Sequence, residues 1–369
     1  MSVLRLALPS PLRRLFDYLP PAGMDSAQVR ELRPGVRLRV PFGRREVTGY
    51  LTGVVGESDV PDSALKAASA LLDPEPLLDP ALMTLATWAT GYYHHPPGEV
   101  FNAIFPKRLR EGKPPQPPGE RAWQLTTRGQ GLSADALGRS PRQAGAVALL
   151  GGGAMAESLL KNAGISAAVL RTLRDKDLAE ECILPPSPAP ASSSQGLSLN
   201  AEQADAFQAI VQSGSGFSCH LLEGVTGSGK TVVYLQLIAR CLERGEQALV
   251  LIPEIGLTPQ TLQRFEQRFS ANIAVLHSGL GDASRYRAWE EARAGMAHII
   301  IGTRSAVFTP LHRPGLVIVD EEHDASYKQQ DGFRYSARDV AIKRAQLLDC
   351  PVILGSATPS LESLANALA

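Results

Sequence analysis

Two-residue alternation dominates the start of the chain. Residues 2–9 (SVLRLALP), 35–41 (GVRLRVP) and 46–56 (EVTGYLTGVVG) alternate or are rich in β-branched residues, with Pro and Gly between them, and they predict a small β-rich domain. In the second run Val36, Leu38 and Val40 fall on one face and Arg37 and Arg39 on the other, with Arg44 and Arg45 just beyond. That guanidinium face either grips phosphates or is simply solvated. From 79 to 94 the period changes to that of a helix, which ends in Tyr92, Tyr93, His94 and His95 before Pro96 and Pro97, with Lys107, Arg108 and Arg110 following. Aromatic rings beside basic groups stack nucleobases or pack in a core.

Pro-rich stretches divide the rest of the chain. GKPPQPPG (112–119) suits neither a helix nor an inner strand, and PPSPAPASSSQG (185–196) is polar and flexible. The pattern predicts a domain over 1–112, a linker over 113–120, a second domain over 121–184, a linker over 185–196 and a third domain over 197–369. Residues 140–150 open with a Ser cap and Pro at the first helical position. Helical patterns near 155–163 and 166–176 complete a helix-turn-helix arrangement. Arg171, Arg174 and Lys176 on the last helix suit DNA, Asp175 and Asp177 weaken that field, and modules of this kind also bind protein.

In the third domain the apolar runs 248–252, 273–276, 298–301, 316–319 and 352–354 alternate with helical patterns, which predicts an α/β domain with a doubly wound parallel sheet. Chemistry then belongs at the strands' carboxyl ends, where PEIGLTPQ (253–260), HSG (277–279), GTRSAVF (302–308) and GSATPS (355–360) form polar loops. Thr303 and Arg304, in the third of these loops, are candidate contacts to a DNA backbone. The strongest signal is GVTGSGKT (224–231), a phosphate loop set between a strand and a helix. Gly224, Val225, Thr226, Gly227, Ser228 and Gly229 form the backbone cradle. Lys230 reaches the β- and γ-phosphates of a nucleotide, and the Thr231 hydroxyl ligates Mg²⁺. Some ninety residues on, LVIVDEEH (316–323) supplies Asp320 as a second Mg²⁺ ligand and Glu321 to orient or deprotonate a water, with His323 close by. Gln203, in a helix that starts at the Asn200 cap, has a side-chain amide suited to reading adenine. ATP with Mg²⁺ is the cofactor these residues imply.

After the acids comes SYKQQDGFRYSAR (326–338), where Tyr327, Phe333 and Tyr335 interleave with Lys328, Arg334 and Arg338 in a chain only 6 % aromatic. Gly332 makes a compact helix improbable, so the stretch is expected to be a mobile loop on which bases of single-stranded DNA stack and which brings Glu321 and His323 into hydrolytic geometry.

Composition adds mainly exclusions. Hydrophobic residues make up 44 % and charged residues 20 %, as in ordinary globular proteins; Lys plus Arg and Asp plus Glu both number 37, so any nucleic-acid site is local. The four cysteines, at 182, 219, 241 and 350, show no paired spacing that suggests zinc or a disulfide framework. No apolar run reaches the length of a membrane helix, and a cytoplasmic protein with no membrane partner is expected. Nothing supplies the phosphate-acceptor pocket of a metabolic kinase.

Together GVTGSGKT, IPEIGLTPQ, VLHSGL, IGTRSA, DEEHDASYKQQ and GSATP resemble the first motor lobe of the superfamily 2 helicases. More narrowly, with FDYLPPAG near the start and VPFG at 40–43, the chain resembles the primosomal replication-restart helicase family. The resemblance implies a multidomain fold: a β-rich N-terminal DNA-binding domain, a winged helix over 121–184 and a RecA-like P-loop lobe. It implies ATP-dependent 3′ to 5′ unwinding at stalled forks, primosome assembly and replisome reloading. It also implies a pocket for a strand's 3′ end at Phe16, Asp17, Gly43 and Lys66. Implied partners are forked and single-stranded DNA, single-stranded-DNA-binding protein and other primosome proteins, for a monomer acting at the nucleoid. The family's second motor lobe and its cysteine-rich zinc-binding insertion have no counterpart in this sequence, which ends at Ala369 just after GSATP, so no zinc site is expected. On that ground nucleotide binding is expected to survive while fast hydrolysis is lost; the alternative is a fork-binding module that responds to ATP without unwinding.

Overall fold

A computed structural model describes residues 2–116, 119–132, 140–184, 192–193, 198–214 and 216–368. Most of the second Pro-rich stretch lies outside the described residues. Residues 1–115 form one compact unit with 189–369, and 116–188 form another.

The alternating runs at the start become β1 (Val3–Ala7), β2 (Phe16–Tyr18), β3 (Arg37–Phe42), β4 (Arg45–Val55) and β5 (Ala70–Leu71), an antiparallel sheet in the order β2-β1-β4-β3-β5. α1 (Ser26–Glu31) follows β2 and is closed by a capping box on Asp25. One sheet face buries Leu4, Leu6, Leu38, Val40 and Leu51. The other face is covered too, by α2 (Pro80–Tyr92), α3 (Pro97–Ile104) and the short α4 (Lys107–Arg110): Tyr50 stacks on Phe105 with ring centroids 4.8 Å apart. This corrects the expectation for Arg37, which neither meets solvent nor grips phosphate. Its side chain is fully buried, paired with Asp73 at 2.7 Å and donating to the carbonyls of Leu109 and Lys113. Only Arg44 and Arg45, at the β3–β4 turn, stay exposed.

The unit 116–188 holds β6 (Glu120–Leu125), β7 (Met155–Ala156) and β8 (Ala179–Leu184) in the antiparallel order β7-β6-β8, with α5 (Thr127–Gln130), α6 (Pro141–Leu150), α7 (Glu157–Asn162) and α8 (Ala167–Asp175). Trp123 and Leu125 pack against Leu150, Leu160, Leu170 and Leu173. Pro141 suits the first turn of α6, but the expected cap is absent because the Ser140 side chain makes no capping bond. Arg171, Arg174 and Lys176 are exposed, Arg174 pairing with Glu181 at 3.0 Å.

The remaining elements run β9 (Ser192–Ser193), α9 (Ala201–Gln212), β10 (Cys219–Glu223), α10 (Lys230–Glu243), β11 (Gln247–Leu251), α11 (Pro259–Arg268), β12 (Phe269–Ser270), β13 (Ile273–Leu276), α12 (Asp282–Arg293), β14 (Ile299–Gly302), β15 (Pro314–Val319), α13 (Ala337–Leu348), β16 (Val352–Ser356) and α14 (Leu361–Leu368). Six of the strands form a parallel sheet ordered β10-β16-β15-β11-β14-β13, and β11, β14 and β16 are buried along their whole length, which is why they read as unbroken apolar runs. The N-terminal sheet's covering helices share a core with this lobe. The Trp289 indole donates to the Ile104 carbonyl at 3.1 Å, Lys107 pairs with Asp282 at 3.0 Å, and Phe333 packs edge-on against Tyr93. No helix among the described residues is long and apolar enough to cross a membrane.

Candidate nucleotide site and DNA-end pocket

The phosphate loop leaves β10 at Glu223 and enters α10 at Lys230, turning on Gly227 and Gly229, whose φ values of +86° and +88° lie in the left-handed region that favours glycine. Val225 at the loop crest is exposed. The Lys230 ammonium donates to the Gly224 carbonyl at 2.7 Å, folding back across its own loop, and lies 3.5 Å from Glu321. Gln203 lies against the loop with both ends of its amide engaged: its nitrogen donates to the Ser228 carbonyl, and its oxygen accepts from the Asn200 amide in the capping box of α9.

β15 delivers the acids. Asp320 accepts a hydrogen bond from the Tyr234 hydroxyl at 3.0 Å. Burial pushes its carboxyl above the usual carboxylate range, and neighbouring Glu321 adds to the rise. Glu321 occupies a left-handed backbone conformation at φ +45°, uncommon for a residue with a side chain, which turns its carboxylate toward Lys230. His323 meets the Ser356 hydroxyl at 2.7 Å and stands 3.7 Å from Glu321. Thr231, Tyr234, Asp320 and Glu321 line one cavity of about 350 Å³ together with Arg264 and Asp324. A hydroxyl and a carboxylate set into a polar cavity beside a phosphate loop fit Mg²⁺, which favours oxygen ligands.

Several parts of this site carry no recognisable motif. Tyr234 lies one helical turn past Lys230, the only sequence signal it offers. Its ring is close enough to β16 that a side chain at Gly355 would collide with the hydroxyl. Glu322 is wholly buried, holding Arg338 at 3.1 Å, the Ser360 amide at 2.7 Å and the Ser363 hydroxyl at 2.9 Å. Burial alone would raise its carboxyl, but these donors outweigh it and hold it below the usual range.

The stretch after the acids departs from expectation. Tyr327, Phe333 and Tyr335 are buried, not displayed on a mobile loop. Phe333 and Tyr335 lie 4.8 Å apart and both contact Phe308, while the Tyr327 hydroxyl donates to the Asp320 carbonyl at 2.6 Å. The physical reason is that Tyr93, His95 and Phe308 already present an aromatic surface there, and Phe333 and Tyr335 gain more by packing on it than by facing water, while Tyr327 is held beneath the acids by its bond to Asp320. Lys328 and Arg334 remain exposed. Arg304 is likewise spoken for, donating to the Ser326 and Lys328 carbonyls at 3.0 and 3.1 Å, and Thr303 is buried with its amide bonded to Leu276. These two residues brace the loop from within rather than stand open to a DNA backbone.

In the N-terminal sheet Phe16, Asp17, Gly43 and Lys66 line a single cavity of about 630 Å³, with Arg5, Arg14 and Phe42 beside them. Phe42 meets Phe16 edge-on at 5.3 Å and the Arg14 guanidinium covers the same ring at 4.9 Å. The hydrogen bonds of Arg5 hold the Asp17 carboxyl below the usual range.

Two family matches fall on these two sites. Residues 5–106 match the 3′ DNA-binding domain (3′BD), and residues 200–367 match the DEAD/DEAH box helicase domain. The fold is therefore that of a DEAD/DEAH-box helicase lobe together with a 3′ DNA-binding domain. The chain is 43 % identical to the replication restart protein PriA of Haemophilus influenzae, over 99 % of this chain and 50 % of that protein. It is 32 % identical to the protein of that name in Bacillus subtilis, over 96 % of this chain and 52 % of the relative. The chain belongs to the PriA family, and it spans about half the length of the curated relatives it matches.

Proposed function

We propose that this chain carries the DNA-end recognition and the ATP-binding half of a replication-restart helicase, which unwinds DNA 3′ to 5′ at stalled forks and starts primosome assembly. The observation that supports it is the meeting of Thr231, Asp320 and Glu321 around one cavity, with the Lys230 ammonium 3.5 Å from Glu321, in the compact unit that also holds the Phe16–Asp17–Gly43–Lys66 pocket. On this reading Lys230 exchanges its Gly224 carbonyl for the β- and γ-phosphates. Thr231 and Asp320 hold Mg²⁺, whose charge offsets that of the phosphates. Glu321 orients the attacking water, and Phe16 stacks the terminal base of a leading strand while Asp17 accepts its 3′-hydroxyl. Residues 121–184 are read as a winged helix between linkers at 113–120 and 185–196, with 1–112 and 197–369 as the flanking domains. Forked and single-stranded DNA are the substrates, single-stranded-DNA-binding protein and other primosome proteins the partners, and the protein acts as a cytoplasmic monomer.

A second reading is an ATP-responsive fork binder that does not unwind. Strand displacement and forked-DNA binding, measured side by side with and without ATP, separate the two. Displacement supports the helicase, ATP-sensitive binding without displacement the module, and binding indifferent to both ATP and fork structure overturns both.

A further inference from the structure

Asp17 is the carboxylate that the family resemblance assigns to the 3′-end pocket, whose lining also includes Asp59, and it does not stand alone. Arg5 lies directly opposite it in the β1–β2 register. The guanidinium takes the carboxylate with both arms, Nε to Oδ1 at 2.9 Å and Nη2 to Oδ2 at 3.0 Å, and the Ser58 hydroxyl donates to Oδ2 at 2.7 Å. A cross-strand ion pair of this kind is often no more than a stabiliser of its hairpin. Two features separate this one. The acid is the more buried partner, with 9 % of its side chain exposed against 35 % for Arg5, and both side chains line the cavity itself.

Lone-pair accounting then selects one atom. Each carboxylate oxygen offers about two acceptor positions. Oδ2 has both filled, by Arg5 and Ser58, whereas Oδ1 has one filled, by Arg5. We propose that Arg5 and Ser58 are positioning residues that fix the Asp17 carboxylate so that Oδ1 alone remains free to accept the hydrogen of a strand's terminal 3′-hydroxyl. The inference rests on the 3′-end reading of the pocket and adds the residues that aim it. The clamp also changes what the pocket senses. With the charge of Asp17 answered by Arg5, a hydroxyl is recognised by the geometry of one hydrogen bond, and an end lacking that donor leaves Oδ1 unsatisfied.

The experiment is fluorescence anisotropy of this chain on a labelled fork whose leading strand ends in 3′-hydroxyl or in 3′-deoxy, for wild type, Arg5→Met, Arg5→Lys, Ser58→Ala and Asp17→Asn, and for Arg5→Met in the Asp17→Asn background. Wild type should prefer the hydroxyl by about tenfold, the worth of one hydrogen bond to a charged acceptor. Arg5→Met should lose most of that preference and Arg5→Lys should keep part of it, because an ammonium answers the charge without the two-armed grip. Ser58→Ala should weaken the preference less than Arg5→Met does. In the Asp17→Asn background Arg5→Met should change the preference no further, which a merely structural role of Arg5 would not produce. A wild type indifferent to the end group overturns the pocket reading and the clamp together. If the wild type discriminates through Asp17 and Arg5→Met, melting as the wild type does, still discriminates, the clamp alone is overturned.

Discussion

The two cavities each turn on an aspartate, and the two aspartates are shifted in opposite directions. Asp17 is held below the usual carboxylate range because Arg5 and Ser58 supply three donor contacts. Asp320 is held above it because it is buried with the Tyr234 hydroxyl as its side-chain donor and Glu321 as a repelling neighbour. The difference separates a site finished by its own protein from one that is electrostatically incomplete. Asp17 has its counter-charge built in, which on the proposed reading readies it for a neutral hydroxyl. Asp320 is a carboxylate short of positive charge, which on the same reading a cation arriving with a nucleotide would supply. Lys230 answers it only in part, being bonded to the Gly224 carbonyl and paired with Glu321.

The largest test of this comparison asks whether the two sites share one body. Phe333 belongs to the helicase lobe, yet its ring contacts Tyr93 and His95 from the first hundred residues as well as Phe308 and Tyr335. Phe333→Ala should cost about 3 to 5 kcal/mol, the usual range for a large aromatic removed from a core, and urea unfolding would show it. Unchanged stability with lost affinity for single-stranded DNA would restore the exposed stacking loop and break the comparison at its seam. A smaller effect sharpens it. Lys230→Ala should weaken ATP binding by roughly ten- to a hundredfold, as expected for a charge-assisted bond, and leave the affinity for a 3′-hydroxyl fork end as it was. Titration calorimetry with ATP and anisotropy with DNA give the two numbers, and a parallel fall in both would mean the sites are not independent.

How much of each site could be read from the sequence obeys the same division. The nucleotide cavity was legible because its ligands lie in contiguous stretches, GVTGSGKT and DEEH, whose spacing is set by one strand–loop–helix turn and one strand end. The six-stranded sheet was legible for the same reason, its buried strands being plain apolar runs. What escaped was everything contributed by packing between distant segments. Arg37 sits at a polar position of an alternating strand, and nothing in that alternation says that α4 covers the second face and that Asp73 awaits it. Phe333 looks exposed among charges because part of the surface it covers, Tyr93 and His95, lies some 240 residues earlier in the chain. Glu322 reads as a spacer between Glu321 and His323, and only the fold brings Arg338, Ser360 and Ser363 to it. Phe16, Asp17, Gly43 and Lys66 came from family resemblance alone, and Arg5 had no signal beyond a polar position in β1.

The smallest expected effect comes closest to the contrast between the two aspartates, because they should answer pH with opposite signs. For Asp17 the folded pKa is lowered, so the unfolded chain takes up its proton first as pH falls. Its contribution to stability is complete above the unfolded value of about 3.9 and is lost as pH drops through the folded one. For Asp320 the folded pKa is raised. The unfolded chain then releases its proton first as pH rises past about 3.9, and stability falls until the folded value is passed. Asp17→Asn should therefore be less stable than wild type at pH 7, by no more than about 1 kcal/mol for a partly exposed pair, with the gap closing as the pH is lowered. Asp320→Asn should be as stable as wild type in acid and more stable at pH 7, since it removes a buried charge whose desolvation outweighs the help it receives from Lys230. Urea unfolding of the three proteins across that pH range, without nucleotide or Mg²⁺, gives both curves. Two gaps of the same sign at pH 7 would mean that Asp320 is not short of positive charge, and the contrast between a finished and an unfinished site would fail. Adding Mg²⁺ and ATP to the same series should then shrink the advantage of Asp320→Asn, because ligand that binds the native wild type stabilises it while the variant has lost the carboxylate that holds the cation.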